Sequence, residues 1–164
     1  MTVQKRLMKL DLSSVDPELL ARAVAELEEV KFWLVSIQQA ETFFREVTMQ
    51  PKLRKLWIRF TDLSSLEPGL LARAVECLEE VGLKNTRLTG QKVTTKFSAI
   101  GTRLKKLNLQ QNNSLIFVDF SLLAKAICRL EEVNIGNVWL RLEQLQAIFN
   151  AVKEPTKLHT IKQS

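Results

Sequence analysis

The chain of 164 residues has few of the residue types that build reactive sites. It contains one histidine, two cysteines, five glycines and no tyrosine. The histidine, His159, stands near a terminus, and no serine or aspartate has a spacing that predicts a nucleophilic relay with it. The sequence also lacks a phosphate-binding glycine loop and a cluster of metal-ligating residues. We therefore expect no enzyme activity, no cofactor and no metal.

The cysteine positions and apolar segments bear on the cellular compartment. Cys77 and Cys128 fall at non-equivalent positions, which does not predict the disulfide framework of a small extracellular domain. The first residues contain no apolar core of a signal peptide, and no run of about 18 apolar residues predicts a membrane span. We expect a soluble, cytoplasmic chain with free thiols and without membrane insertion.

The chain does contain strong internal repetition. A block that begins with two leucines and ends with Leu-Glu-Glu-Val occupies residues 19–30, 70–81 and 122–133, so one module of 51 to 52 residues is copied three times. Repetition at a fixed period predicts a solenoid, because each unit buries its apolar face only against its neighbours. We predict a single domain over residues 1–164.

Each module divides into two half-repeats that open with the pattern L-x-x-L-x-L. This is the pattern of the leucine-rich repeat, in which each unit supplies a short strand and a helix. We predict an α/β leucine-rich-repeat solenoid, a horseshoe of about six repeats with a parallel sheet on its concave face and helices on its convex face. Leu7 is interpreted as a shortened first member and Leu158 as a late last one. The other opening leucines, spaced 25 or 26 residues apart, are Leu27, Leu53, Leu78, Leu104 and Leu130.

The period near 26 with alternating half-repeats resembles the ribonuclease-inhibitor type of leucine-rich repeat, in particular the C-terminal arrays of NOD-like receptors. Residues 104–113 and 63–71 carry the resemblance, which implies the ligand-sensing array of an innate-immune receptor. At the eighth position after each opening leucine the family commonly has Asn, Cys or Thr, whereas only three of the five residues here can form side-chain hydrogen bonds. These residues are Val35, Thr61, Thr86, Asn112 and Val138.

Local signals place the helices. Pro17 and Pro68 each stand beside an acid and predict helix starts, because proline loses nothing at the first helical position. In the repeated block, helical spacing predicts that Leu19 and its equivalents face the sheet. Trp139 is expected to pack against a neighbouring loop. The predicted inward stripes of the intervening half-repeats are Phe43, Phe44 and Val47; Val93, Phe97 and Ile100; and Leu142, Leu145, Phe149 and Val152.

Charged pairs follow the strand openings, and their sign alternates from one strand to the next. Because neighbouring strands lie about 4.8 Å apart, each basic pair is expected to lie between acidic pairs. Each exposed pair contributes only about 0.2 to 1 kcal/mol, but a shift by one repeat would oppose like charges along the sheet. We interpret the pattern as structural. The pairs are Met8-Lys9, Glu28-Glu29, Arg54-Lys55, Glu79-Glu80, Lys105-Lys106 and Glu131-Glu132.

The residues on either side of the sixth pattern position are expected to face the concave cavity. Tryptophan and arginine there predict a binding surface, since both are enriched in binding hot spots. The alternatives are that Trp33 turns inward with Phe32 and that Trp57 only covers aliphatic stems of neighbouring cations. The candidate partner-binding residues are Lys31, Trp33, Trp57, Arg59, Lys84 and Gln110.

The net charge of +6 predicts an acidic partner. We predict a recognition scaffold that binds a protein or peptide on the concave sheet. An engineered or modular repeat binder is one alternative. Single-stranded nucleic-acid binding through the aromatic and basic patch is another. The oligomeric state is not predicted.

Overall fold

The computed structural model describes residues 6–7, 16, 19, 27–33, 36–47, 52–89, 103–113, 115, 119–152 and 160–162. Seven strands and four helices are defined within these residues. The strands are β1 (Arg6–Leu7), β2 (Glu29–Trp33), β3 (Lys55–Arg59), β4 (Glu80–Lys84), β5 (Lys106–Asn108), β6 (Glu132–Asn134) and β7 (Thr160–Lys162). The helices are α1 (Ile37–Val47), α2 (Pro68–Cys77), α3 (Phe120–Ile127) and α4 (Leu142–Val152).

The strands form one sheet in chain order, β1 to β7, and every neighbouring pair is parallel. A parallel neighbour requires a crossover connection, which the segment between successive strands supplies. The predicted parallel array is therefore confirmed across the described strands.

Side chains alternate between the two faces of the sheet along each strand, and one of these faces is buried. The fourth residue of the leucine pattern is in register from β2 to β6 and is at most 2% exposed in each strand. Phe32 lies on the same buried face and meets the ring of Phe43 from α1 edge to face, with centroids 4.5 Å apart. The core thus lies between the sheet and the helices, as the inward placement of Phe43 and Phe44 predicts.

Buried polar side chains hold the turns after the strands. Asn112 is fully buried, and its Oδ1 accepts hydrogen bonds from the backbone and hydroxyl of Thr86 and from the backbone N–H of Leu88. Its Nδ2 donates to the carbonyl oxygens of Leu83, Leu109 and Gln110. One amide therefore satisfies the backbone of two adjacent repeats, which is the role expected at the eighth position.

An apolar residue takes the eighth position of the repeat that contains β6. Val138 is 7% exposed and belongs to the apolar core. The preceding turn is held by Asn134, whose Oδ1 accepts a hydrogen bond of 3.0 Å from the N–H of Gly136. Val35 lies outside the described residues.

The predicted charge ladder is present in the middle of the sheet. Glu80 lies between Lys55 at 3.0 Å and Lys106 at 3.7 Å. Glu79 lies between Arg54 at 3.5 Å and Lys105 at 3.6 Å. Each acid therefore pairs with a cation on both neighbouring strands, as the alternation predicts.

The first strand lies in a different register from the predicted one. Leu7 pairs with Val30 and Arg6 with Glu29, so Leu7 takes the fourth pattern position instead of the first. Arg6, and not Lys9, is the residue opposite Glu29. The register of the last strand agrees with the prediction, because Thr160, two residues after Leu158 in sequence, pairs with Glu132, two residues after Leu130.

Helix starts follow two signals, of which only one was expected. α2 begins at Pro68 after Glu67, as predicted, although the Glu67 side chain forms no capping hydrogen bond. α1 begins with a capping box, in which Ser36 N–H donates to Gln39 Oε1 at 3.0 Å and Gln39 N–H to Ser36 Oγ at 3.2 Å. Gln144 repeats half of this arrangement, accepting from Arg141 N–H at 2.8 Å.

The predicted inward stripe of α4 is wrong at Leu142 and Phe149, while Leu145 is half-buried. Leu142 is 70% exposed and Phe149 is 65% exposed, whereas Gln144 and Ile148 are buried. The helix turns Gln144 inward to cap its first turn, and Ile148, one turn further on, fills the sheet-facing side. Leu19 and Trp139 were also predicted to pack and are exposed instead. The predicted stripe of Val93, Phe97 and Ile100 lies outside the described residues.

Candidate protein-binding face

The side of the sheet opposite the core carries the half-buried strand residues and is here called the open face. Its residue positions form rows across the strands, because parallel register places equivalent residues side by side. The first row is Arg6, Glu29, Lys55, Glu80, Lys106, Glu132 and Thr160. The second row is Lys31, Trp57, Gly82, Asn108, Asn134 and Lys162. The third row is Trp33, Arg59 and Lys84.

Both tryptophans of the candidate site belong to the open face. Trp33 and Trp57 are half-buried, while the alternating residues Phe32, Leu56 and Ile58 are buried on the core side. The alternative in which Trp33 turns inward is therefore wrong, since Phe32 takes the inward position and Trp33 stays beside Arg59.

Trp57 lies against the backbone of its register partner, Gly82. A Cβ at residue 82 would overlap ring atoms Cε3, Cζ3 and Cδ2 of Trp57, so the absence of a side chain at 82 makes the close approach possible. The Nε1 atom of Trp57 is buried and has no hydrogen-bond acceptor in the described structure. The indole thus occupies the space that a side chain at residue 82 would take.

Arg59 stacks beside Trp33. The guanidinium carbon Cζ lies 5.8 Å from the centroid of the Trp33 ring, within the range of a cation–π contact. The two residues are register partners on β2 and β3. The contact restrains a long side chain that would otherwise sample many rotamers, and it leaves the guanidinium hydrogens available.

The cations of the site differ in their neighbours. The ammonium of Lys31 pairs with the carboxylate of Glu29 on the same strand at 2.9 Å. Arg59 and Lys84 are register partners on adjacent strands, and neither forms an ion pair within the described residues. The third row therefore concentrates positive charge that the sheet itself leaves uncompensated.

Gln110 lies just beyond the end of β5, next in sequence order along the third row. Its N–H donates to Asn108 Oδ1 at 3.0 Å, and its carbonyl oxygen accepts from the N–H of Asn85. Its side chain is half-buried. The structure thus places all six predicted residues on or directly beside one face, with Trp33, Trp57, Arg59 and Lys84 grouped on β2 to β4.

Phe60 is a candidate that the sequence analysis missed. It directly follows Arg59, is 47% exposed, and has a φ of 55°. The equivalent positions Asn85, Gln111 and Asn137 have the same left-handed backbone, which asparagine tolerates well and a bulky aromatic does not. Alignment of the repeats would have revealed it, because Phe60 is aromatic and the three equivalent residues are polar.

No group of three or more metal-ligating side chains occurs among the residues that the structure describes. In that part of the chain no helix is both long enough and apolar enough to span a bilayer. Cys77 and Cys128 are not joined in a disulfide, and the thiol of Cys128 donates a hydrogen bond to the carbonyl oxygen of Ala151 at 3.1 Å. His159 lies outside the described residues.

Sequence and structure comparisons give different results. No protein-family profile and no curated protein matches the chain. Among solved structures, the chain is similar to the tropomodulin C-terminal domain from Caenorhabditis elegans, with a TM-score of 0.67, 15% identity, and coverage of 85% of this chain and 92% of that one. It is also similar to the leucine-rich repeat-containing protein LegL7 from Legionella pneumophila, with a TM-score of 0.64, 18% identity, and coverage of 92% of this chain and 52% of that one.

At these identities the likeness concerns the fold alone. It agrees with the in-order parallel sheet, the helices on one side of it and the repeated leucine pattern. The chain is therefore an α/β leucine-rich-repeat solenoid, as its sequence predicts.

Proposed function

We propose that the chain is a recognition scaffold that binds a protein or peptide on the open face of its sheet. The observation that carries the proposal is the grouping of two half-buried indoles and a stacked guanidinium on β2 to β4. Tryptophan and arginine provide large contact area and several donors. Because the strands are held by the core, little side-chain and backbone entropy is lost when a partner binds.

The nature of the partner follows from the charge. The chain has a net charge of +6, and Arg59 and Lys84 add uncompensated cations to the open face. Long-range attraction of this kind accelerates association with acidic proteins. We further propose a cytoplasmic location and, from the resemblance to NOD-like receptor arrays, a role as the ligand-sensing part of an innate-immune receptor.

The proposal is tested by selecting peptides from a random library displayed on phage against the whole chain. Selected peptides are then measured by titration calorimetry against the chain and against the double variant Trp57→Ala/Arg59→Ala. A combined hot-spot loss of about 2 kcal/mol or more predicts at least a roughly 30-fold weaker Kd for the double variant. Helical circular dichroism is expected to stay unchanged.

Trp139→Ala is the matched control, since it removes a more exposed indole, 73% exposed, from the loop after β6. Its peptide affinity is expected to equal that of the unmodified chain. Selection of no peptide, or equal loss in the control and the double variant, would contradict the proposed function. Tight binding of an oligothymidylate with a steep salt dependence would instead support the nucleic-acid alternative.

A further inference from the structure

The third row breaks the rule that the first row obeys. In the first row, Lys55 and Lys106 both face the carboxylate of Glu80, at 3.0 and 3.7 Å. In the third row, Arg59 and Lys84 are direct register partners, and the described residues offer neither of them an ion pair. Like charges that lie opposite each other on neighbouring strands destabilise a sheet.

The like charges of Arg59 and Lys84 contrast with the opposite charges that the same two strands carry in the first row. On β3 and β4 the register couple Lys55 and Glu80 forms an ion pair, and the register couple two rows further along is cationic on both strands. The cost of the second couple is removed when an external anion lies between the two cations. A carboxylate suits the position, since the guanidinium of Arg59 can donate two parallel hydrogen bonds to its oxygens.

Phe60, the residue with a left-handed backbone that follows Arg59, also supports a binding site at this pair. Phe60 holds a left-handed backbone at φ 55° and exposes 47% of its surface, whereas its equivalents Asn85 and Asn137 are of a residue type that suits that backbone. Such strain persists where a site gains from it. Trp33 stacks on Arg59, and Phe60 follows Arg59 in sequence and donates its backbone N–H to the carbonyl oxygen of Lys84 at 3.1 Å.

We propose that Arg59 and Lys84 form a binding site for the carboxylate of a glutamate or aspartate in a peptide segment, with an apolar neighbour of that acid packed on Phe60. The inference rests on the proposed function and specifies its ligand chemistry. Trp33 orients the guanidinium, and Lys84 supplies the second cation from the adjacent strand.

The first test needs no ligand. Lys84→Glu converts the like-charged couple into an opposite-charged one, and the melting temperature is expected to rise by about 1 to 3 °C. Lys55→Glu is the matched control, because it places a third acid beside Glu29 and Glu80 and is expected to lower the melting temperature. A decrease for Lys84→Glu similar to that of the control would overturn the proposed charge conflict.

The second test uses the peptides selected from the phage library. Replacing the acid of such a peptide by its amide is expected to weaken binding to the chain about ten- to hundred-fold. The same replacement is expected to change the affinity less than about three-fold for the double variant Arg59→Gln/Lys84→Gln. Phe60→Asn is expected to weaken binding of the acidic peptide while raising the melting temperature.

The outcomes separate the inference from the proposed function. If selected peptides lose affinity with Trp57→Ala but carry no acid, or tolerate its replacement by the amide, the carboxylate site is wrong and the protein-binding face stands. If no peptide is selected, both are wrong. If an oligothymidylate competes for the site and acidic peptides do not, the anion is a phosphate of nucleic acid and the peptide proposal is overturned.

Discussion

The indole of Trp57 rests on the backbone of Gly82, its register partner on the neighbouring strand. Glycine is the residue that permits this approach, because any Cβ at 82 would occupy the position of the ring. The orientation of a candidate hot-spot side chain is therefore set by a residue that has no side chain of its own.

Gly82→Ala is expected to displace the Trp57 ring and to lower stability by about 1 to 3 kcal/mol, as overpacking does. The displacement should appear as a change in tryptophan fluorescence and as weaker binding of selected peptides. Gly69→Ala is the control, since its added Cβ would lie 3.4 Å from Glu67 Oε1, an ordinary contact. Identical fluorescence spectra for Gly82→Ala and the unmodified chain would contradict the packing described.

Asn112→Ala is expected to destabilise the chain by about 3 kcal/mol or more, because it removes the acceptor of the buried Thr86 N–H and the amide that donates to the carbonyl oxygens of Leu83 and Leu109. Urea unfolding measures the loss. The neighbouring Asn113 is exposed, and Asn113→Ala is expected to stay within about 0.5 kcal/mol of the unmodified chain. Equal effects at both positions would show that the amide does not join the two repeats.

Ile148→Ala and Phe149→Ala test the rotation of α4. Truncation of the buried Ile148 is expected to lower the free energy of unfolding by about 2 to 4 kcal/mol. The larger Phe149, 65% exposed, is expected to cost less than about 0.5 kcal/mol. Thermal unfolding of the two variants gives the comparison, and a greater loss for Phe149→Ala would restore the orientation predicted from the sequence.

Asp62 predicts a small dependence of stability on pH. Hydrogen bonds from the side chain and backbone of Ser64, followed by the guanidinium of Arg87 at 3.1 Å, hold the pKa of Asp62 below its ordinary value of 3.8. A lowered pKa stabilises the fold above the ordinary pKa, and the contribution is lost as the pH falls through the lowered value. The effect is small because the carboxylate is about half exposed and screened by solvent.

Asp62→Asn is therefore expected to be less stable than the unmodified chain at about pH 7 by under about 1 kcal/mol, with the difference shrinking toward about pH 3 and below. Urea unfolding at both pH values measures it. A difference that grows on acidification would have the wrong sign for a lowered pKa.

Sheet order and most of the register could be predicted because the apolar period and the alternating charges agree from Leu27 onward. They agree less at the first strand, where Leu7 and Leu10 stand three residues apart and Arg6 and Lys9 are both basic. Either leucine fits the pattern and either cation suits Glu29, so the sequence alone does not distinguish the two registers. The structure selects Arg6 opposite Glu29.

The open face was predicted at the level of residues but not of contacts. Alternation along a strand determines that Trp33 and Arg59 point away from the core. It does not determine that the ring of Trp57 turns toward Gly82, which depends on the rotamer and on the missing Cβ. The prediction for α4 is wrong at Leu142 and Phe149 for a related reason. Gln144 acts as a helix cap and takes an inward position that hydrophobicity would assign to leucine.

Alternating sign along the first row also governs how such an array lengthens. Gain or loss of one unit of about 26 residues would bring two glutamates or two cations together across a new strand boundary, whereas gain or loss of two units restores the sequence of signs. Duplication of half-repeats in even numbers therefore keeps opposite charges beside each other along the row. The threefold copying of a 51 to 52 residue module, instead of sixfold copying of its half, obeys this parity.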